Sequence, residues 1–196
     1  MTKVLAIVSH PDDEILGVGG TLLRHKAAGD EVSAVILYEC SARGPEQRDH
    51  AVEAMRRLGF VVILPDPDID LEMTVAAHGT GIVYMHSRAD LHHEHQEAVE
   101  RTLVACRPQS GVRALYAFET PSATDWSGVD FRPQRYVDIT DTLEQKLHAM
   151  GAYTSELREI PHPRSISALR MRAAYWGQRA GVAYAEPFEV IREVWS

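Results

Sequence analysis

The chain begins with an uninterrupted apolar run, Val4 to Val8, that leads directly into a polar and acidic turn. Such a run predicts a strand buried on both faces, as in a parallel sheet. After the turn, a helical pattern starts with Ile15 and Leu16 and ends near Gly29, a residue type favoured just beyond helix C-termini. The strand, turn and helix together are typical of α/β folds.

The same alternation continues along the chain. Further strands are predicted at 32–38, 60–64, 82–85 and 114–118, helices at 46–58, 94–106, 141–153 and 166–178, and a closing edge strand at 188–194. The stretch 66–81 does not distinguish a short helix from a strand. Strands alternating with helices indicate right-handed βαβ crossovers. We therefore predict an α/β fold, a Rossmann-like three-layer sandwich with a mostly parallel sheet, as a single domain over residues 1–196.

Composition excludes several classes of protein. The net charge is −8 with neutral histidines, whereas a protein that binds nucleic acid or an anionic membrane needs a basic surface. No apolar stretch approaches the roughly 20 residues of a membrane span, and the first apolar run is too short for a signal peptide. Cys40 and Cys106 cannot form a disulfide framework. We expect a cytoplasmic protein with no nucleic-acid partner and, if it assembles, a homo-oligomer.

Histidines and carboxylates follow several of the predicted strands. Ligands of such folds bind at the carboxyl ends of the strands. The segments at these ends begin at His10, Glu39, His86 and Glu119, and three of the four are rich in His, Asp and Glu. The sequence therefore predicts a functional site at this edge of the sheet.

The glycines at 17, 19 and 20 do not make a dinucleotide site. Leu22 stands where the third glycine of GxGxxG belongs. Asp12, Asp13 and Glu14 occupy the turn where a pyrophosphate would bind, and they would repel it. The small residues instead predict close packing of the first helix on the sheet.

The turn from His10 to Glu14 is a candidate metal site. It allows His10 and Asp13 to point inward together while Asp12 points elsewhere. An imidazole and two carboxylates in one turn are costly unless a cation or a proton neutralises them. Asp12 or Asp13 could instead cap the helix, because Asp is a favoured N-cap residue, although a cap accounts for only one of the carboxylates.

A second histidine cluster offers complementary donors. At i and i+3, His92 and His95 share one face at the start of a helix, and Val99 and Leu103 continue that face toward the core. His93 lies off the face and is expected to be a solvated surface residue.

Taken together, His10, Asp13 and His95 would give two nitrogens, one oxygen and a position left for water. That is the composition of a catalytic zinc site. Bound zinc lowers the pKa of its water toward ~7 and so creates a nucleophile at neutral pH.

The segment from Ile7 to Leu22 resembles the AHPDDE signature of the PIG-L/LmbE-like deacetylases. The segment from Asp90 to His95 is similar to that family's second motif, HPDH or HxDH, with Glu94 in place of the aspartate. Segments at 41–44, 58–59 and 181–188 also resemble the family, so the similarity extends along almost the whole chain. The resemblance implies a zinc-dependent N-deacetylase that removes an acetyl group from a small-molecule amino sugar or its conjugate.

The resemblance also implies roles for single residues. The zinc ligands that it implies are His10, Asp13 and His95. Asp12 would be the general base, His92 would stabilise the oxyanion or protonate the leaving amine, and Arg43 would contact the substrate. Amide hydrolysis needs an activated water, a polarised carbonyl, a stabilised intermediate and a proton for the amine. With a protonated His92, this set would supply all four.

Two more residues are candidates because of their positions. Glu119, at the end of a predicted strand, would orient His92, with a surface acid as the alternative. Trp126 could stack on a sugar ring, with packing in the core as the alternative.

Two other functions fit part of the pattern. A metal-dependent ester hydrolase could use the same ligands. A phosphoester is disfavoured because one metal site is evident and Arg43 is the only basic group placed at its edge. A non-catalytic zinc or sugar-binding module would keep the ligands without needing Asp12.

Overall fold

The computed structural model describes residues 1–39, 44–66 and 68–195, and at 44, 45 and 47 it describes the backbone only. Its elements, in chain order, are β1 Lys3–Val8, α1 Asp13–Ala27, β2 Glu31–Ile36, α2 Gly44–Leu58, β3 Val61–Ile63, α3 Leu71–His78, β4 Ile82–His86, α4 His93–Ala105, a 3-10 turn at Pro108–Ser110, β5 Ala114–Phe118, β6 Arg135–Asp138, α5 Leu143–Met150, α6 Ile166–Ala180 and β7 Ala185–Glu193. Within the stretch 66–81 that the sequence left open between helix and strand, residues 71–78 form the helix α3. None of the described helices is long and apolar enough to cross a membrane.

The strands of the described chain form one sheet in the order β3-β2-β1-β4-β5-β7-β6. Strands β1 to β5 are parallel, and β7 runs antiparallel to both β5 and β6. The predicted α/β class is confirmed. The prediction that the last strand closes the edge is wrong, because β6 is the edge strand beyond β7. The four residues of β6 include only two apolar ones, Tyr136 and Val137, so no apolar run marks this strand in the sequence.

Two apolar cores lie on opposite faces of the sheet, which makes the fold three-layered. Along β1, Val4, Ala6 and Val8 belong to the core that contains residues of α1, α2, α5 and α6. Leu5 and Ile7 belong to the core that contains residues of α3 and α4. Because successive side chains of a strand point to opposite faces, a strand covered by helices on both faces is apolar throughout.

Helix α1 approaches the sheet closely at Gly17. A side chain at this position would overlap the ring of Phe118, at the end of β5, and a side chain at Gly20 would crowd Ile139. The expectation that small residues serve close packing is confirmed. This packing holds the first turn of α1 over the carboxyl ends of the central strands.

A buried ion pair also fixes α1 in place. Lys146 Nζ lies 2.6 Å from Glu186 Oε1 and donates to the carbonyl oxygen of Leu16 at 2.9 Å. Glu186 accepts the backbone N–H groups of Gly20 and Thr21 at 2.9 and 2.7 Å. Each buried charge is therefore both paired and hydrogen-bonded, as burial requires. The pair joins the middle of α1 to α5 and β7.

Candidate metal centre and active site

The turn between β1 and α1 holds His10 and Asp13 together. Oδ2 of Asp13 accepts the backbone N–H of His10 at 2.9 Å. Asp12, between them, has a φ of 122°, which few residues other than glycine adopt. Asp12 occupies the N-cap position, yet its side chain makes no capping hydrogen bond. Capping therefore does not account for this carboxylate.

Three donor atoms from two distant segments meet above the end of β1. Nδ1 of His10 lies 3.2 Å from Nε2 of His95 and 3.6 Å from Oδ2 of Asp13. Nε2 of His95 lies 3.4 Å from the same carboxylate oxygen. The structure thus brings together the three residues that the sequence proposed as ligands.

The outer partners of the two histidines decide where their ring protons lie. Nδ1 of His95 donates to Oδ2 of Asp90 at 2.8 Å, and Nε2 of His10 donates to Oε2 of Glu94 at 2.7 Å. An ionised carboxylate can only accept, so the inner nitrogens of the neutral rings present their lone pairs to each other. Two facing lone pairs and a carboxylate need a cation or a proton between them.

Asp13 gives a second indication of a cation. Its Oδ1 atom is buried and accepts no hydrogen bond from any residue that the structure describes. Buried polar atoms normally have a partner. Two overlapping groups of side chains have donor atoms within 4.8 Å of one another, namely His10 with His92 and His95, and Asp13 with His86 and His95. The donor set therefore fits a metal ion.

The pKa shifts of His10 and Asp13 in the metal-free site also indicate that this cluster needs a positive charge. Burial lowers the pKa of His10, but its hydrogen bonds to Asp13 and Glu94 outweigh burial and raise the pKa to about 9. Burial alone would raise the pKa of Asp13, whereas the neighbouring His95 and His86 hold it well below its usual range. A proton on His10 thus neutralises the metal-free cluster, and a metal would replace that proton.

Asp12 is buried beside this cluster and paired with Arg164. Nη1 of Arg164 donates to Oδ2 of Asp12 at 3.0 Å, and its Nε donates to Oγ of Ser122 at 3.2 Å. Burial raises the pKa of Asp12 well above its usual value, with Asp13 and Glu14 adding to the effect and Arg164 opposing it. Sequence reasoning missed Arg164, because it lies in a loop 152 residues from Asp12 and in no recognisable motif.

His92 is the exposed N-cap residue of α4. Its ring stacks on that of His95, with centroids 4.7 Å apart, and lies 4.9 Å from that of His10. Burial and these neighbouring imidazoles lower the pKa of His92. The protonated His92 expected from the sequence is therefore disfavoured. The same three histidines have nitrogens close enough to share a metal.

His86, at the end of β4, is a site residue without an assigned role in the sequence. It is fully buried, and its ring stacks on His95 at 4.0 Å. Its Nε2 accepts the N–H of Ser9 at 3.0 Å, so the ring proton lies on Nδ1, which faces Oγ1 of Thr120 at 3.0 Å. Burial lowers the pKa of His86. A neutral ring therefore packs against His95, and the signal for it in the sequence was a histidine directly after a predicted strand.

The contacts of Glu119 differ from both expectations. Glu119 is buried rather than a surface acid, and its oxygens accept hydrogen bonds from Arg172 and from Nε1 of Trp176, each at 2.6 Å. Both partners lie on α6, so this carboxylate holds α6 across the end of β5 and does not orient His92. No pattern in the sequence indicates that α6 packs there.

Trp126 and Arg43 are the other two residues that the sequence predicted to contact the substrate. Trp126 is 61% exposed, with its ring edge-on to His162 at 5.6 Å, so packing in the core is excluded for it. Arg43 lies outside the residues that the structure describes.

Comparisons with known proteins agree with this geometry. Residues 5–61 match the family model PIG-L, described as GlcNAc-PI de-N-acetylase. The chain is 26% identical over 217 aligned residues to the diacetylchitobiose deacetylase of Thermococcus kodakarensis, covering 94% of this chain and 81% of that protein.

Solved structures show the same fold. The conserved protein TT1542 from Thermus thermophilus has a TM-score of 0.80 and 26% identity, covering 100% of this chain and 97% of that one. The 4-carboxy-2-hydroxymuconate hydratase GalB from Pseudomonas putida has a TM-score of 0.78 and 19% identity, covering 100% and 98%. The match to the family model covers the turn from His10 to Asp13, and the similarity to the deacetylase extends along nearly the whole chain. Over residues 5–61 the chain is therefore similar to the PIG-L family, and over nearly its whole length it is similar to a diacetylchitobiose deacetylase.

Proposed function

We propose that this protein is a zinc-dependent N-deacetylase that removes an acetyl group from an amino sugar or an amino-sugar conjugate. The observation that carries the proposal is the placement of Asp12, buried and held by Arg164, beside the donor atoms of His10, Asp13 and His95. The similarity to a diacetylchitobiose deacetylase supports the N-acetylated sugar as substrate. A cytoplasmic location and a homo-oligomer stay predictions.

Zinc is the metal that best suits these ligands. Two imidazoles and one carboxylate, each with a fixed outer partner, are typical of catalytic zinc. Asp90 and Glu94 are those outer partners for His95 and His10. Bound zinc would polarise the amide carbonyl and lower the pKa of a water molecule.

The protein's own side chains would then move the protons. Asp12 would accept a proton from the attacking water and return it to the leaving amine, because it is a carboxylate of raised pKa next to the ligands. Arg164 would hold the carboxylate of Asp12 in its orientation through the hydrogen bond of 3.0 Å from Nη1 to Oδ2. His92, neutral because of its lowered pKa, would donate a ring N–H to the oxygen that becomes negative in the tetrahedral intermediate.

The geometry of the site supports the two alternative functions less well than it supports a deacetylase. A binding module would not need a buried Asp12 at a strained φ of 122°, because strained residues cluster where chemistry is done. An ester hydrolase could use the same groups. Arg164 is a basic residue near the site that the sequence did not predict, but its guanidinium is already paired with Asp12. A phosphoester therefore stays disfavoured.

The assay must identify the reaction, since a hydratase shares this fold. Zinc-loaded protein is incubated with N-acetylglucosamine and N,N′-diacetylchitobiose, and both acetate and free amine are measured. We expect the two products in equal amounts, and their formation should be ~10²-fold slower or more with the Asp12→Asn variant. Release of acetate from O-acetyl but not from N-acetyl sugars would instead identify an esterase.

A further inference from the structure

A cleft of about 550 Å³ lies beside the candidate site, between α6 and the loop that leads into it. Met171, Tyr175 and Trp176 of α6 line one wall, and Pro161 and Pro163 line the other. Met171 and Tyr175 are 58% and 51% exposed, so their apolar surface is largely uncovered. The volume lies within the roughly 300–1,000 Å³ of small-molecule sites.

Hydrogen bonds connect this cleft to the candidate general base. Arg164 contacts Asp12 at 3.0 Å and Ser122 at 3.2 Å. The N–H of Ser122 donates to Oδ2 of Asp125 at 2.9 Å, and Asp125 lines the cleft together with Pro163, the neighbour of Arg164. Arg164 therefore lies between Asp12 and the cleft, and a substrate with its amide at the metal ligands would extend past Arg164 to reach the cleft.

The charged groups at the cleft are already paired. Arg172 donates to Oε2 of Glu119 at 2.6 Å and also to Asp125, while Trp176 donates to the other oxygen of Glu119. Two carboxylates face one guanidinium, so these described lining residues carry a net negative charge. An anionic ligand finds no free cation among them, whereas an apolar ligand finds uncovered apolar surface.

We propose that the cleft binds an uncharged apolar aglycone, aromatic or alkyl, that is attached to the amino sugar. The proposal rests on the deacetylase function proposed above. Tyr175 and Trp176 meet edge-on with ring centroids 4.8 Å apart, which provides an aromatic wall for such a group. Covering this wall removes apolar area from water on both partners, and that favours binding. An aglycone with a carboxylate or phosphate would face Glu119 and Asp125 and bind poorly.

The test compares three N-acetylglucosaminides that differ only in the aglycone: methyl, phenyl and 4-carboxyphenyl. With the zinc-loaded protein we expect kcat/KM for the phenyl glycoside to exceed that for the methyl glycoside about tenfold, through a lower KM, since one buried apolar group is worth roughly that factor. The 4-carboxyphenyl glycoside should lose this advantage. Equal kcat/KM for the phenyl and methyl glycosides would overturn the proposal.

Two variants test whether the preference for the phenyl over the methyl glycoside arises in this cleft. Met171→Glu should lower the ratio of phenyl to methyl kcat/KM toward one, because it adds a charge to the apolar wall. Met73→Glu is the matched control, since Met73 is an exposed methionine on α3, and it should leave the ratio at its wild-type value. A ratio unaffected by Met171→Glu would place the preference elsewhere and reject the cleft.

Calorimetric titration separates this proposal from the proposed function. Asp12→Asn protein, which turns its ligand over only slowly, should bind the phenyl glycoside about tenfold more tightly than the methyl glycoside. If no acetamide is hydrolysed but this difference is measured, the deacetylase function fails and the apolar cleft stands. If acetate is released but the two glycosides bind equally, the cleft fails alone.

Discussion

Oε2 of Glu94 lies 2.7 Å from Nε2 of His10 and thereby ties the first turn of α4 to the turn that follows β1. The resemblance noted in the sequence predicts aspartate at this position, and the glutamate present here makes the contact to His10. The contact fixes the tautomer of His10 that turns Nδ1 toward His95. A carboxylate behind a ligand histidine also increases the basicity of the ring.

The first prediction concerns this contact. Glu94→Gln removes the negative charge behind His10, so we expect zinc affinity to fall by about 10–100-fold, the usual effect of losing such a partner. Competition with a chromophoric chelator measures the affinity. Glu97→Gln, an exposed change on the same helix, should leave it unaltered. Equal affinities for both variants would show that Glu94 does not support His10.

The second prediction tests the ligand set. Purified protein should hold about one zinc per chain, and a chelator should abolish deacetylation. His95→Ala removes a buried nitrogen within 3.4 Å of Asp13 and should lose most of the metal. His93→Ala, an exposed neighbour, should keep it. Metal content is measured by elemental analysis, and a fully loaded His95→Ala would contradict the assignment.

The third prediction separates an enzyme from a binding module. Asp12→Asn keeps the size of the side chain and its neighbours, so zinc content should be unchanged. Because the amide cannot accept the proton of the attacking water, kcat should fall by ~10²-fold or more. Steady-state kinetics with the metal content determined in parallel is the measurement. Turnover close to that of the wild type would remove Asp12 from the mechanism.

The fourth prediction distinguishes the two roles open to His92. The distances to His10 and His95 allow it to bind metal, but a catalytic zinc needs one position for water. His92→Ala should therefore retain zinc and lower kcat by roughly 10²–10³-fold, as for the loss of an oxyanion donor. If the variant is isolated without zinc, His92 is a ligand.

The fifth prediction is a pH dependence of stability at Glu119. Burial raises the pKa of this carboxyl, and Arg172 opposes the shift. A raised pKa in the folded state stabilises the protein below the unfolded value of about 4.3, and this contribution is lost as the pH rises through the folded value. The wild type should thus lose stability relative to Glu119→Gln as the pH rises above about 4.3.

Urea denaturation of both proteins across that pH range is the measurement. Gln keeps an oxygen that can accept from Trp176 Nε1 but does not titrate. A difference in stability that stays constant with pH would show that Glu119 has an ordinary pKa in the folded protein.

Sequence reasoning reached the parts of the molecule that have a local signal. The apolar run of β1 and the adjacent turn from His10 to Asp13 locate half of the candidate site, and the i, i+3 spacing of His92 and His95 locates the other half. Each of these patterns lies within a few residues of the chain. The carboxyl ends of the predicted strands also indicate the correct edge of the sheet for the candidate site.

The missed features depend on contacts between distant segments. Arg164 meets Asp12 across 152 residues, and Glu119 pairs with Arg172 because α6 crosses the end of β5. Neither residue has a neighbour in the sequence that indicates its partner. The edge strand β6 has too few apolar residues to be recognised, and only its register with β7 defines it.

The position of β7 has a consequence for how the chain acquires its structure. Strands β5 and β6 precede it in the chain but do not pair with each other, and β7 inserts between them. Until Ala185–Glu193 has been synthesised, β5 exposes an unpaired edge that can join other chains. The carboxylate of Glu186, which accepts two N–H groups of α1, arrives with the same strand. Biogenesis of the active form therefore depends on the last strand of the sheet, and a chain interrupted before it is an aggregation hazard rather than a partially active enzyme.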